Sequence, residues 1–214
     1  MFAESTRLHK RSDLHIVRKL WHITSGLAGL YAYYSVGHEA KQVGVFLMGF
    51  AIFAFIVELI RIKAPALNSS ILKVMGPFMR ESERNSLSGL PFFVSGVGLS
   101  LYLFDEEIAI LSIFFLTFSD PLSSLVGILY GKDKILPNKS LQGSVAGFIC
   151  CYFCTLIYGL NFLEPNVDLL IFATFAGVIG SVSELCSVFI DDNFTIPVIS
   201  GLGLTLLNNF VPIF

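Results

Sequence analysis

Apolar residues are gathered along the chain into seven long runs separated by short polar segments. Each run is close to the ~20 residues that an α-helix needs to cross about 30 Å of hydrocarbon. The pattern predicts an all-α polytopic membrane protein with about seven transmembrane helices. The predicted spans cover residues 20–36, 43–60, 87–104, 107–130, 141–163, 168–190 and 195–214.

The segment before the first run, residues 1–19, is polar and basic. No small-residue cleavage site follows it, and six further apolar runs do, so we do not expect a cleaved signal peptide. We interpret residues 1–19 as a basic N-terminal segment and residues 20–214 as a single transmembrane domain.

The composition agrees with lipid as the solvent. Hydrophobic residues make up 54% of the 214 residues and charged residues 14%, with a mean hydropathy of +0.74. A soluble domain usually carries about 25% charged residues. The composition excludes a disordered protein, a disulfide-stapled secreted domain and a DNA-binding module. The net charge of −2 provides no basic field for a nucleic acid partner.

Basic residues indicate the orientation. With seven spans, all of the 14 Lys and Arg residues except Lys41 fall on one side, in residues 1–19 and in the loops after the second and fourth spans. Cytoplasmic loops carry the excess of Lys and Arg. We therefore expect a cytoplasmic N-terminus, an outside C-terminus and residence in the cytoplasmic membrane or the endoplasmic reticulum.

Three carboxylates lie inside the predicted spans, at Glu58, Asp120 and Glu184. A charge at such depth costs about 2.5 kcal/mol or more unless it is paired, solvated or bound to a metal. Arg61 follows Glu58 by three residues, so that pair is either structural or functional. Asp120 and Glu184 have no cation within their own spans, which favours a polar cavity open to the cytoplasm.

Pro121 strengthens this interpretation for Asp120. Proline has no backbone N–H, so in an α-helix Pro121 would free the carbonyl of Thr117. Broken helices at membrane depth are tolerated where they line a wet cavity. We therefore predict a functional site beside Asp120.

The loops beside these carboxylates supply complementary chemistry. Asp191, Asp192 and Asn193 follow Glu184, and a spacing of seven residues would place Glu184 and Asp191 on one helix face. Thr195 is the predicted N-cap of the last helix, with Pro197 in its first turn. Acidic and amide oxygens suit Mg²⁺, whereas basic side chains and helix N-termini suit phosphates. The combination predicts a metal–nucleotide site.

No soluble phosphate-binding motif accounts for such a site. Gly127-x-x-x-Gly131-Lys132 has the wrong spacing for a P-loop and lacks the following Ser or Thr. Gly127/Gly131 and Gly143/Gly147 are also small-residue surfaces that favour close helix packing.

An ordered series of short motifs resembles the polyprenol kinase family, which includes dolichol kinase, phytol kinase and the CTP-dependent diacylglycerol kinase. The resemblance runs from Arg18 to about Gly201. Its motifs are Arg18-Lys19-Leu20-Trp21-His22, Glu58-x-x-Arg61, Arg80-x-x-Glu83, Ser119-Asp120-Pro121, Gly127-x-x-x-Gly131-Lys132, Lys139-Ser140-x-x-Gly143-Ser144, Glu184 and Asp192-Asn193-x-x-x-Pro197.

The resemblance implies a membrane-embedded lipid kinase that transfers the γ-phosphate of CTP to a lipid hydroxyl, with a divalent cation and a cytoplasmic active site. It implies active-site roles for Asp120, Lys139 and the Asp192-Asn193 pair, supported by Arg18, Lys19 and Gly127. This chain is short and lacks the long N-terminal membrane region of dolichol kinase, which argues against dolichol itself. The expected acceptor is a lipid alcohol of the diacylglycerol, phytol or polyprenol type.

These arguments together define the candidate site residues. The predicted catalytic residues are Asp120, Lys139 and Glu184. The predicted metal ligands are Asp120, Glu184, Asp192 and Asn193, with Asp120 alternatively orienting or deprotonating the lipid hydroxyl. The predicted nucleotide- and phosphate-binding residues are Arg18, Lys19, His22, Arg80, Glu83, Gly127, Lys132, Ser140 and Gly143.

Three other functions compete with lipid kinase activity. A CDP-diacylglycerol synthase-like cytidylyltransferase also uses CTP, but its C-terminal signature combines basic residues with several Asp residues, and here no Lys or Arg follows Lys139. A cation-coupled transporter would use Asp120 and Glu184, but transporters usually show an internal repeat. A purely structural membrane protein leaves the two carboxylates unexplained.

Overall fold

The computed structural model describes residues 8, 13–162, 164–188 and 190–214. Most of the basic segment, residues 1–7 and 9–12, lies outside the described residues, as does Leu163 at the end of the fifth predicted span. The helices are α1 (Ile16–Val36), α2 (Ala40–Lys63), α3 (Pro65–Met75), α4 (Gly89–Leu103), α5 (Glu106–Phe114), α6 (Asp120–Tyr130), α7 (Leu141–Gly159), α8 (Val167–Cys186) and α9 (Asp192–Asn208).

Shorter elements connect these helices. Two 3₁₀ turns, Gly76–Phe78 and Glu81–Glu83, follow α3. A π-helical segment, Phe115–Ser119, joins α5 to α6, so these form one continuous but irregular helix. Two short antiparallel strands, β1 (Lys134–Leu136) and β2 (Lys139–Ser140), precede α7, with Lys134 opposite Ser140 and Leu136 opposite Lys139.

Among the described residues, four helices are long and apolar enough to cross a membrane: Ala40–Lys63, Glu106–Tyr130, Leu141–Gly159 and Val167–Cys186. Gly89–Leu103 is a shorter apolar helix. Many large apolar side chains on these helices face outward, including Phe46 on α2 and Ile157 on α7. Lipid is the solvent that suits such a surface, so the chain is an α-helical membrane protein.

The core lies around the irregular α5–α6 helix. Ile108, Ile110, Leu111, Phe115 and Leu116 are almost completely buried there. Helices α7 and α9 pack against it, α8 packs between them, and α4 connects α9 to α2. Glycine allows the closest approach, since a Cβ on Gly44 of α2 would lie 2.7 Å from the Gly98 carbonyl oxygen of α4. This arrangement buries the centre of the π-helical segment.

The connection between α8 and α9 differs from the prediction. Helix α8 ends at Cys186 and α9 begins at Asp192, so Glu184 and Asp191 do not share a helix face. Asp191, rather than Thr195, is the N-cap, because its side chain accepts the backbone N–H of Asn193 at 3.1 Å. The Thr195 hydroxyl instead donates back to the Asp191 carbonyl, and Pro197 lies inside the helix.

The strand pair before α7 was not predicted from the apolar pattern. The Gln142 side chain holds it in place, because Oε1 accepts the backbone N–H of Lys132 at 3.1 Å and Nε2 donates to Asp133 at 2.6 Å. Ser140 ends β2 and caps α7, accepting the backbone N–H of Gly143 at 3.2 Å. The turn thereby places Lys139 and Ser140 at the start of α7, with Lys139 reaching Glu184 of α8 and Ser140 beside Gly127 of α6.

Candidate functional site

The π-helical segment directly precedes Asp120 and determines which backbone carbonyl lacks a donor there. The backbone N–H of Asp120 donates to the carbonyl of Phe115, five residues earlier. In this register the next donor, at position 121, would face the carbonyl of Leu116, but Pro121 has no N–H. The carbonyl left without a backbone donor is therefore that of Leu116, one residue from the predicted Thr117, because the helix is locally wider than an α-helix.

His22 occupies the gap that Pro121 leaves. Its Nε2 lies 3.0 Å from the Leu116 carbonyl oxygen. A carbonyl oxygen only accepts hydrogen bonds, so Nε2 must carry the proton. The ring packs edge-on against Phe93 with centroids 5.4 Å apart. The His22 side chain thus connects α1 to the broken helix, next to Asp120.

A polar cavity of about 100 Å³ adjoins this contact. It is bounded by the start of α1, the turn at Arg80, α6, the start of α7, the end of α8 and the start of α9. All of the predicted site residues line it except Glu83 and Lys132. Those in the lining are Arg18, Lys19, His22, Arg80, Asp120, Gly127, Lys139, Ser140, Gly143, Glu184, Asp192 and Asn193.

The innermost ion pair joins β2 to α8. Lys139 Nζ lies 2.9 Å from Glu184 Oε1, and both side chains are buried. The second carboxylate oxygen, Oε2, accepts no hydrogen bond from the described residues. Gly147 of α7 leaves room for it, since a Cβ there would lie 3.0 Å from Oε2. Glu184 thus has a spare acceptor in the wall of the cavity.

Glu83 has a positioning role instead of the predicted phosphate contact. Its carboxylate accepts from Arg18 Nη1 at 2.9 Å and from the backbone N–H of Arg80 at 3.1 Å. Arg18 also donates to the Phe78 carbonyl at 2.9 Å. A buried carboxylate would repel a phosphate, but here it fixes Arg18 and the turn that carries Arg80.

The start of α9 brings more charge into the same wall. Asp192 lies near Arg80, with 3.7 Å between Oδ2 and Nη2. Burial, together with the neighbouring Asp192 carboxylate, raises the pKa of Asp191 to about 7. The amide nitrogen of Asn193 donates to Asp191 at 2.7 Å and to the Gly89 carbonyl at 3.4 Å. These bonds orient the Asn193 side chain.

The donor set fits a hard divalent cation held partly by a substrate. Asp120, Glu184, Asp192 and Asn193 all line the cavity. Within the described ranges, no three His, Cys, Asp or Glu side chains form a group that could hold a metal by themselves. Mg²⁺ is usually held by one or two carboxylates together with substrate phosphates. The residues present suit that mode and not an all-protein cage.

Two predicted features lie away from the cavity. The Lys132 side chain is exposed beside the strand pair. Arg61 is fully buried and donates to both oxygens of Glu58, at 3.0 and 2.8 Å. Arg61 also reaches Asn68 on α3 and the Ser86 carbonyl. The structure therefore favours the structural interpretation of this pair, which joins α2 and α3 to the turn before α4.

The motifs did not identify several polar lining residues, namely Asp13, His15, Ser123, Ser124 and Asn138. Helical spacing was the available signal for two of them. Ser123 and Ser124 follow Asp120 by three and four residues, and Gly127 follows it by seven, so all share one face of α6. The others lie outside the helices, where spacing from Asp120 carries no information.

Comparisons with known proteins show the family to which this chain is related. A family model described as the cytidylyltransferase family matches residues 1–190. The chain is 37% identical to CTP-dependent diacylglycerol kinase 1 of Schizosaccharomyces pombe over 203 residues, covering 90% of this chain and 93% of the relative. It is 31% identical to the Saccharomyces cerevisiae protein of the same name, covering 87% and 71%.

No solved structure shows significant similarity to this fold. The family match nevertheless covers most of the chain, and the two fungal proteins align with 90% and 87% of it. The chain therefore belongs to the cytidylyltransferase family, together with these CTP-dependent diacylglycerol kinases.

Proposed function

We propose that this chain is a CTP-dependent lipid kinase that transfers the γ-phosphate of CTP to the hydroxyl of a lipid alcohol. Diacylglycerol is the acceptor that its relatives' names indicate. The observation that carries the proposal is one polar cavity, in an apolar helical protein, where Arg18, Arg80 and Lys139 face Asp120. Such a cavity offers phosphate ligands and a carboxylate at membrane depth.

The basic side chains bind and neutralise the triphosphate. Phosphoryl transfer depends on positioning and on charge stabilisation more than on covalent chemistry. Arg18 is held by Glu83 and the Phe78 carbonyl. Lys19 also lines the cavity, and its Nζ donates to the Leu14 carbonyl at 2.8 Å. Fixed donors lose little entropy when they bind phosphate, so this arrangement favours the transition state.

Asp120 has two possible roles at the reacting oxygen. Its carboxylate accepts no hydrogen bond from the described residues. It is therefore free to accept the proton of the lipid hydroxyl or to serve as a metal ligand. Mg²⁺, when held by Asp120, Glu184, Asp192 and Asn193, would supply charge neutralisation on the transferred phosphate.

Lys139 couples the two sides of the cavity. Its ammonium group neutralises Glu184 at 2.9 Å while it faces the same space as Asp120. A triphosphate entering the cavity would draw Lys139 partly away from Glu184, because both are anions competing for one cation. We therefore assign Lys139 a direct phosphate contact.

The topology completes the proposal. Seven spans with a cytoplasmic N-terminus and an outside C-terminus would place the cavity on the cytoplasmic side, where CTP is available. The cavity is lined from the starts of α1, α7 and α9 and the end of α8, which supports one shared side for these four ends. Residues 20–214 then form a single catalytic domain in the cytoplasmic membrane or the endoplasmic reticulum.

Labelled CTP tests the reaction. Purified protein would be incubated with γ-labelled or α-labelled CTP, or with γ-labelled ATP, and with diacylglycerol, phytol or a polyprenol. We expect γ-label from CTP in the lipid and unlabelled lipid with α-label. The family description names cytidylyl transfer, and that reaction would instead place α-label in the lipid and release pyrophosphate. That result would show that the chain is a cytidylyltransferase and not a lipid kinase.

A further inference from the structure

A second, larger cavity lies between α1, α2, α4 and α5. Its volume is about 600 Å³ and its walls are almost entirely apolar. It exists because α1 packs against the π-helical segment and the turn at Gly76–Phe78, whereas α2 packs along α4. The space between these two pairs is left open.

The apolar cavity adjoins the polar cavity along α1. His22 lines the polar cavity, and Ser25 and Gly26, three and four residues later, line the apolar one. Residues three and four apart lie on the same helix face. The His22 ring contacts Phe93 with centroids 5.4 Å apart, and Phe93 is a wall of the apolar cavity. One ring contact therefore separates the two spaces.

The length and the rim of the apolar cavity suit a hydrocarbon chain. Its lining on α1 extends from Ser25 to Val36, about 16 Å of helix at 1.5 Å per residue. One leaflet of a bilayer is about 15 Å of hydrocarbon. Val36 and Phe46 are exposed at the rim. The cavity is thus open to the membrane from which a lipid would enter.

We propose that this cavity holds one hydrocarbon chain of the lipid acceptor, with the lipid hydroxyl at the level of His22 and Asp120. The inference rests on the proposed function, because it needs a lipid alcohol in the polar cavity. An apolar chain gains about 0.8 kcal/mol per buried methylene, but a methylene in the bilayer is already out of water. The cavity therefore selects chain length and shape by fit more than by affinity.

Two glycines allow a matched test. Gly29 lines the apolar cavity and Gly49 lies on α2 outside its lining. Both are exposed helical residues at which an added Cβ would meet nothing within 4 Å. Gly29→Leu would project a branched side chain into the cavity, whereas Gly49→Leu would add the same side chain elsewhere. Kinase activity would be measured with CTP and with long-chain or dibutyryl diacylglycerol.

We expect Gly29→Leu to raise KM for the long-chain acceptor by about tenfold, the lower end of the discrimination that a misfit of one methylene produces in an apolar pocket. The dibutyryl acceptor, whose chains are too short to pass Gly29, and CTP should keep their KM values, and Gly49→Leu should behave like the parent. If Gly29→Leu leaves KM unchanged for both acceptors, or changes both equally, the cavity does not hold the chain. If the parent phosphorylates no lipid alcohol, the proposed function is wrong.

A photoreactive diacylglycerol distinguishes a failure of the cavity proposal from a failure of the proposed function, because crosslinking needs no turnover. With a diazirine in one acyl chain and no CTP present, we expect crosslinks to Leu30 and Val97 in the cavity wall, reduced by excess unlabelled diacylglycerol. Crosslinks confined to outward-facing residues such as Phe153 and Ile157 would overturn the inference even if the kinase assay succeeds. Gly29→Leu should reduce the Leu30 and Val97 crosslinks, and Gly49→Leu should not.

Discussion

His22 Nε2 lies 3.0 Å from the carbonyl oxygen of Leu116, and it occupies the position of the backbone N–H that Pro121 lacks. A side chain from the first helix therefore completes the hydrogen bonding of a broken helix 94 residues away. The break keeps Asp120 at the floor of the polar cavity. The geometry of Asp120 thus depends on a contact that neither helix makes alone.

His22→Phe should leave the buried Leu116 carbonyl without a partner, at a cost of about 1–3 kcal/mol in the free energy of unfolding. Pro121→Ala returns an N–H to the same carbonyl. Thermal unfolding in detergent should therefore show a smaller loss for His22→Phe in the Pro121→Ala background, with a coupling energy above about 0.5 kcal/mol. Strictly additive losses would contradict the compensation.

Asp120→Asn should reduce turnover by on the order of 10³-fold, since several kcal/mol of transition-state stabilisation is lost and each 1.36 kcal/mol is tenfold. The protein should still fold, because an amide costs less than a carboxylate at this depth. Turnover with CTP and diacylglycerol would be measured beside thermal stability. A variant that folds normally and works within about tenfold of the parent would show that Asp120 is not catalytic.

Glu58→Gln is the control for a carboxylate outside the cavity. The substitution weakens a bidentate contact to the fully buried Arg61, and an uncompensated buried charge costs about 3–5 kcal/mol. We expect lower yield and a lower unfolding temperature, with turnover per folded molecule close to that of the parent. A loss confined to turnover would indicate that Glu58 takes part in the reaction.

Lys139→Met should destabilise the protein by about 3–5 kcal/mol, because it leaves Glu184 buried without its partner. Adding Glu184→Gln should restore much of that stability, since the remaining group is neutral. Activity should stay lost in the double variant if Lys139 binds phosphate. Recovery of activity together with stability would mean that the pair only supports the fold.

Arg18→Gln and Lys132→Gln compare a basic residue inside the cavity with one outside it. Arg18→Gln should raise KM for CTP by about tenfold, the loss of one charge-assisted contact. Lys132→Gln should change KM by about twofold at most, as for an ordinary surface substitution. Equal effects of the two would place the phosphates nearer the strand pair than we propose.

Engineered cysteines test the membrane topology, in a background without the four native cysteines. Ser82→Cys and Asn138→Cys should react with an impermeant thiol reagent only from the cytoplasmic side. Asn166→Cys should react only from the outside, because α7 lies between residues 138 and 166. Reaction of positions 138 and 166 from the same side would exclude seven spans.

Much of the site was accessible from local sequence patterns. The cost of a carboxylate in an apolar helix singled out Asp120 and Glu184, and Pro121 marked the broken helix. The predicted close packing at Gly143 is confirmed, since a Cβ there would lie 2.9 Å from the Ser123 carbonyl oxygen. These features depend on neighbours within one or two turns, which the sequence displays directly.

Other features depended on segments that are distant in the chain. Lys132 and Lys139 both belong to basic motifs before α7, but the strand pair turns Lys139 toward Glu184 and leaves Lys132 exposed. Glu83 looks like part of a binding motif, yet Arg18 occupies its carboxylate. The N-cap of α9 is Asp191 and not Thr195. The Asp191 side chain accepts a backbone N–H at the start of the helix, whereas the Thr195 hydroxyl donates to the Asp191 carbonyl.

The sequence by itself determined an apolar helical membrane protein with buried carboxylates, because hydrophobic length and desolvation cost act on each segment separately. Only the tertiary structure decided which cation meets which carboxylate, that His22 serves the Leu116 carbonyl, and that an apolar cavity adjoins the polar one. Those outcomes depend on how helices rotate and approach one another. Rotation and approach reflect many small packing contacts between distant residues, which no local pattern records.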